Sequence, residues 1–146
     1  MSPRSAKTPT PHWVVHTGAG AETQEVASAL GAEIARNFGP RDEALLSIVS
    51  REENGVLVCG LNGVIHWRWL YVRHFYVAPA FRAKGVGRAL MIEAERMARE
   101  KKCLGVYLDS FDEAAAKFYE RLGFARHGRI ENFPAGAARI FLSKAL

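Results

Sequence analysis

The residues best suited to chemistry lie in Val77-Ala-Pro-Ala-Phe-Arg-Ala-Lys-Gly-Val-Gly-Arg-Ala-Leu90, where an apolar run stops at Pro79 and a helical pattern begins after two glycines. Gly85 and Gly87 lack Cβ atoms and let backbone N–H groups come close to a ligand, while Arg82, Lys84 and Arg88 bring positive charge to the same point. A helix that starts near Val86 turns free N–H groups and the positive end of its dipole back into this loop. The chemistry is anion binding. Glycines beside basic residues are also what a solvated turn looks like, and neither G-x-x-x-x-G-K-S/T nor a completed G-x-G-x-x-G is present.

A second concentration precedes the loop: His66, Trp67, Arg68, Trp69, Tyr71, Arg73, His74 and Tyr76. Ordinary sheet faces account for each of them singly, and together they could line an acceptor pocket. Strict alternation puts Trp69, Tyr71, Arg73, Phe75 and Val77 on one face and Leu70, Val72, His74 and Tyr76 on the other.

Particular elements must hold these groups in place. Trp69 to Val77 reads as a strand closed by Pro79, which has no N–H for a ladder. Leu90, Met91, Ala94, Met97 and Ala98 have helical spacing, and Leu104 to Leu108 is a buried-strand run. Strand, helix and strand make a right-handed βαβ unit with parallel strands, which leaves the loop at a strand's carboxyl end. Asp112 is a helix N-cap for Glu113 to Leu122, with Gly123 as C-cap, Phe118 and Leu122 buried and Tyr119 half-buried. Phe124 to Ile130 and Ala138 to Leu142 form a hairpin around Asn132 to Gly136. Upstream, Trp13 to Thr17 is expected to be a first strand. Glu22 to Phe38 is expected to be a helix whose Val26, Leu30, Ile34 and Phe38 pack on the core. Strands at Leu45 to Ser50, Val56 to Leu61 and Val64 to Trp67 are expected to form an antiparallel meander, joined by turns at Asn54-Gly55 and Asn62-Gly63.

With 146 residues, 49% hydrophobic and 24% charged, the chain reads as one globular domain over 12–146 behind a disordered tail over 1–11. No apolar run is long enough for a membrane span and the N-terminus has no apolar signal core, so no membrane partner and a cytoplasmic protein are expected. Cys59 and Cys103 have neither metal-ligand spacing nor a disulfide framework; buried thiols and no metal are expected. The net charge of +5 comes from scattered Lys and Arg, so no nucleic-acid partner is expected, and a cofactor with several phosphates suits the balance equally well.

Arg82-Ala-Lys-Gly85-Val-Gly87 resembles the R/Q-x-x-G-x-G/A signature of the GNAT superfamily of N-acetyltransferases. Ala115-Ala-Lys-Phe-Tyr119-Glu-Arg-Leu-Gly123-Phe124 is similar to the family's A-x-x-F-Y-E-K-x-G-F/Y segment, and the resemblance extends over about Trp13 to Leu146. It implies an α/β fold: a mixed, mostly antiparallel sheet flanked by helices, with a central parallel βαβ unit and splayed strands. It implies acetyl-CoA as cosubstrate, gripped by the backbone of Arg82, Ala83, Lys84, Gly85, Val86, Gly87 and Arg88, with Phe75, Tyr76 and Val77 offering backbone groups to the pantetheine and acetyl carbonyl. Tyr119 matches the tyrosine that protonates the leaving sulfur. The acceptor would be a primary amine of a small molecule or peptide, with Arg73, His74 and Trp69 on its side of the site, and a homodimer is compatible with the family. The alternative is a catalytically silent acyl-CoA-binding module that keeps the loop without the chemistry. Arg73 stands where many members carry a glutamate base, which leaves the base open, and Asp112 replaces a frequent asparagine.

Overall fold

The computed structural model describes residues 10–146, so the tail expectation falls mostly outside the described residues. The chain divides into two compact units, Met1–Gly39 and Pro40–Leu146.

In the first unit, helix α1 spans Ala21–Phe38. Gly20 opens it, with its N–H bonded to the Thr23 hydroxyl at 3.3 Å, and Gly39 closes it at φ 81°, a left-handed value that suits glycine. One expectation fails here. Trp13 to Thr17 is not a strand, because β-prone residues make a strand only where a ladder partner accepts their hydrogen bonds. No residue of α1 is buried, and Val26 and Leu30 stay mostly exposed. Helical spacing says that a face is apolar, not what covers it.

The second unit is a six-stranded sheet in the order β1-β2-β3-β4-β6-β5. Its strands are β1 (Ala44–Arg51), β2 (Leu57–His66), β3 (Trp69–Val77), β4 (Gly105–Ser110), β5 (Ala125–Glu131) and β6 (Ala138–Ala145). Helix α2 (Val86–Glu100) joins β3 to β4, and α3 (Glu113–Arg121) joins β4 to β5. Every neighbouring pair is antiparallel except β3 and β4, the parallel pair that the βαβ reading requires. The α2 stripe of Leu90, Met91, Ala94 and Ala98 is buried with Leu70, Val106, Ile140 and Leu142 of the sheet. Cys59 and Cys103 lie in this core as free thiols. Among the described residues no helix is long and apolar enough to cross a membrane.

The sequence misleads at Asn62-Gly63. The pair lies inside β2, not in a turn, and the β2–β3 hairpin turns instead at Trp67-Arg68, both at positive φ (46° and 63°). Packing overrides the turn signal. A Cβ on Gly63 would meet Leu70 Cδ1 at 2.8 Å and the Tyr71 carbonyl oxygen at 2.9 Å, so glycine serves close strand approach here. The Asn62 side chain accepts a hydrogen bond from the Ser47 hydroxyl at 2.6 Å across β1 and β2.

The same place shifts the register. Asn62 pairs with His74 and Gly63 with Val72, so Arg73 is an extra residue, a β-bulge. Alternation is reset there, which overturns the face assignment made from strict period two. Phe75 and Val77 join Leu70 and Val72 on the core side. His74 lies beside Asn62, with its Nδ1 3.4 Å from the Asn62 amide nitrogen.

Candidate active site

Strands β3 and β4 pair from Trp69 with Gly105 as far as Val72 with Leu108, and no further. Beyond that point His74 to Val77 pairs with β2 alone, and Asp109 and Ser110 pair with β6 alone. The strands are splayed. The resemblance implied open backbone at Phe75, Tyr76 and Val77; alternation from the bond of the Ala78 N–H to the Val58 carbonyl turns Tyr76 toward β2 and leaves Phe75 and Val77 facing the gap, and the bulge at Arg73 marks where the separation begins.

Past Val77 a short 3-10 turn, Pro79–Phe81, leads into the loop. Gly85 takes φ 80° as the N-cap of α2, with no side chain capping the helix, so the first-turn N–H groups stay available. Gly87 is required for a different reason: its missing Cβ makes room for the rings of Phe118, 3.0 Å from that point, and Phe75, 3.6 Å away. The two glycines thus open the cleft separately, one through backbone angle and one through space. Arg82 bonds the Val77 carbonyl at 2.9 Å through Nε, tying the loop to the end of β3.

A cleft of about 660 Å³ runs along this loop. Phe75, Tyr76, Val77, Arg82, Ala83, Gly85, Val86, Gly87 and Arg88 all line it; Lys84 does not. The opposite wall is α3, through Ala115, Phe118, Tyr119 and Arg121. Of these only Tyr119 was singled out from the sequence, although their i, i+3 and i+4 spacing on one helix carried the signal.

A second cavity of about 430 Å³ adjoins the cleft, and Phe75, Tyr76, Asp112, Ala115 and Tyr119 line both. Arg73 and His74 line the second cavity; Trp69 does not. Trp69 sits at the paired end of β3, over Gly105, where a Cβ would collide with its ring. What the sequence reading missed is Asp109, in the wall of this second cavity. Its Oδ1 accepts from the Tyr71 hydroxyl at 2.8 Å and its Oδ2 from Arg139 Nε at 2.6 Å. The Arg139 guanidinium in turn lies over the rings of Phe111 and Phe133, at 4.9 and 4.6 Å. Asp109, Tyr71 and Arg139 come from three strands, so no local spacing announces them.

Tyr119 is the junction. Its side chain is 8% exposed, enclosed edge-on by Phe75, Phe118 and Phe124, and its hydroxyl has no hydrogen-bond partner among the described residues. Burial pushes this hydroxyl up to about 12, and the charges of Asp112 and Asp109 act in the same direction. Tyr71 is also raised, first by burial and then by its bond to Asp109. Asp112 caps α3, its Oδ1 accepting the Ala115 N–H at 2.7 Å, which keeps this carboxylate at the helix's positive end. Among the described residues no cluster of three His, Cys, Asp or Glu side chains could hold a metal.

This geometry has counterparts. The model of the acetyltransferase (GNAT) family matches residues 17–124. An acetyltransferase of Agrobacterium fabrum is 31% identical over 134 residues, covering 91% of this chain and 98% of that one. The blasticidin-S acetyltransferase of Streptomyces morookaense is 36% identical over 95 residues, covering 64% of this chain and 70% of that one. A crystal structure of an acetyltransferase from Agrobacterium tumefaciens superposes with a TM-score of 0.83 at 31% identity, covering 93% of this chain and all of that one. The splayed parallel pair, the glycine loop at a helix start and these likenesses place the chain in the acetyltransferase (GNAT) family, whose members move an acetyl group from acetyl-CoA to an acceptor.

Proposed function

We propose that the protein transfers the acetyl group of acetyl-CoA to a primary amine of a small molecule. The observation that carries this reading is Tyr119, a buried ring whose hydroxyl is left accessible and without a protein partner among the described residues, in the wall common to two adjoining cavities. One cavity takes the thioester and the other the amine.

The loop fits a pyrophosphate, because the first-turn N–H groups of α2 are uncapped and both glycines clear the approach to them. The open backbone of Phe75 and the Val77 N–H would hold the pantetheine arm and polarise the acetyl carbonyl. Acetyl-CoA supplies an activated acyl group, and the rest of the catalysis falls to this chain. Tyr119 holds its proton at Oη throughout the neutral range and can donate it to the sulfur as the carbon–sulfur bond breaks. With the hydroxyl near 12 against a thiol at ~8.5, full transfer is uphill by about 5 kcal/mol, so a hydrogen bond that strengthens as negative charge grows on sulfur is the main contribution.

Attack on the carbonyl needs a neutral amine. Arg73 cannot accept its proton, whereas the Asp109 carboxylate faces the acceptor cavity and would attract and orient the amine. An acceptor of small-molecule size is supported by the cavity of about 430 Å³ and by the relative named for blasticidin S. The test is a panel of small primary amines incubated with acetyl-CoA while free thiol is followed. Acceptor-dependent release that is lost in Tyr119→Phe supports the proposal. Tight acetyl-CoA binding without transfer to any amine would favour a silent acyl-CoA-binding module instead.

A further inference from the structure

The acceptor cavity carries charge of both signs. Asp109 of β4 and Asp112, the N-cap of α3, line it on one side, and Arg73 of β3 lines it on the other. Both carboxylates are engaged: Asp109 accepts from the Tyr71 hydroxyl and Arg139 Nε, and Asp112 accepts from the Ala115 N–H. Arg73 has no ion pair or side-chain hydrogen bond among the described residues, and no other arginine or lysine stands in the lining. The cavity therefore holds one uncommitted positive charge.

The bulge determines where that charge stands. Val72 and Phe75 both lie on the core side of the sheet, and in a regular strand the two residues between them would divide between the faces. The extra residue instead lets Arg73 and His74 share the outer face with Tyr71. His74 turns toward β2, with its Nδ1 3.4 Å from the Asn62 amide nitrogen, whereas Arg73 makes no such contact. At this point β3 has parted from β4, so Arg73 stands on one wall of the gap and Asp109 on the other.

We propose that the acceptor is an amino acid or a related amino-carboxylate, with its amine toward Asp109 and Tyr119 and its carboxylate clasped by Arg73. The inference rests on the acetyl-transfer reading above and names the class of acceptor. The planar guanidinium fork meets the two oxygens of a carboxylate together. The reverse orientation would press a carboxylate against Asp109 and Asp112. A single guanidinium matches a monoanion; a phosphomonoester, at about −1.5 to −2 near neutral pH, would leave charge uncompensated beside the same two aspartates.

The test measures kcat and KM for α- and ω-amino acids, each against its own carboxamide, in the wild type, Arg73→Gln and Arg73→Lys. Rates are compared at equal concentrations of neutral amine, and phosphoethanolamine against ethanolamine forms a phosphate pair. Arg73 is exposed, so both variants should keep the wild-type melting temperature. We expect the wild type to favour the carboxylate of a pair about tenfold or more in kcat/KM, chiefly through KM, because the clasp holds substrate and transition state alike. Arg73→Gln should lose that preference, and Arg73→Lys, which keeps the charge without the fork, should retain part of it. Equal rates within every pair overturn the proposal and leave acetyl transfer to an amine standing. A preference that survives in Arg73→Gln overturns it as well. One confined to phosphoethanolamine makes the anion a phosphate and the carboxylate assignment wrong. Absence of transfer to any acceptor would instead remove the acetyl-transfer reading itself.

Discussion

The ring edge of Phe118 on α3 lies 3.0 Å from the point where a Cβ on Gly87 of α2 would stand. The width of the cleft between loop and helix is therefore fixed by the absence of one methyl group. Alanine at 87 should push Phe118 back by a few tenths of an ångström and improve the local helix propensity at the same time. We expect Gly87→Ala to melt within a few degrees of the wild type and to bind acetyl-CoA about tenfold more weakly by calorimetry. Adding Phe118→Leu should restore part of the affinity. Unchanged affinity in Gly87→Ala would show that the cleft has slack at this point.

Tyr119→Phe keeps the ring against Phe75, Phe118 and Phe124 and removes only the hydroxyl. Acetyl-CoA affinity should hold, and turnover should fall roughly 10²-fold, the range for losing a positioned general acid. An unchanged rate, where chemistry limits turnover, would leave Tyr119 as a packing residue.

The same residue should be visible in alkaline unfolding. Its hydroxyl is raised from 10 to about 12 on folding, so its contribution is complete below pH 10 and disappears as pH climbs from 10 to 12. Two units correspond to about 3 kcal/mol. Denaturant titrations at pH 9 and pH 12 should show the wild type losing about that much more stability than Tyr119→Phe. Tyr71 and Tyr107, also raised by burial, contribute equally to both proteins and cancel. An equal loss in the two proteins would mean that the hydroxyl is hydrated.

Asp109→Asn preserves the shape of the acceptor cavity while removing the charge that Arg139 and Tyr71 hold in place. Because Asp109 does not line the acetyl-CoA cleft, affinity for acetyl-CoA should be unaffected. The amine kcat/KM should fall by roughly 10² or more, chiefly through KM, as the amine loses the charge that attracts and orients it. A variant with wild-type kcat/KM would show that Asp109 takes no part in holding the amine.

Gly63→Ala tests the close approach within the sheet. A Cβ there has no place between Leu70 Cδ1 and the Tyr71 carbonyl, and the backbone atom cannot swing away. We expect a loss of about 2 to 4 kcal/mol in denaturant unfolding. Gly128→Ala is the control, since nothing lies within 4 Å of its Cβ position, and it should be neutral or slightly stabilising. Equal effects would mean that β2 can separate from β3 at no cost.

Several elements were legible in the sequence because their signals are local. Pro79 ends a strand, two glycines precede a helical stripe, Asp112 caps a helix and Gly123 closes it, and each rests on conformations that a few neighbouring residues determine. The parallel β3–β4 pair followed from the helix between them, which is the one connection that returns a chain in the same direction. Register was not legible. Asn62-Gly63 has the chemistry of a turn, yet Leu70 and Tyr71 claim that glycine for a strand, and the extra residue at Arg73 moves Phe75 to the opposite face from the one period-two counting gives. A bulge is a relation between two strands, so neither strand's sequence announces it. The same holds for the site. Tyr119 could be found from its helix, but Asp109 acquires its place only when Tyr71, 38 positions before it, and Arg139, 30 positions after it, fold around its carboxylate. The sequence determined which local conformations were available; the tertiary structure decided which were used, because hydrogen-bond pairing and close packing are settled between residues far apart in the chain.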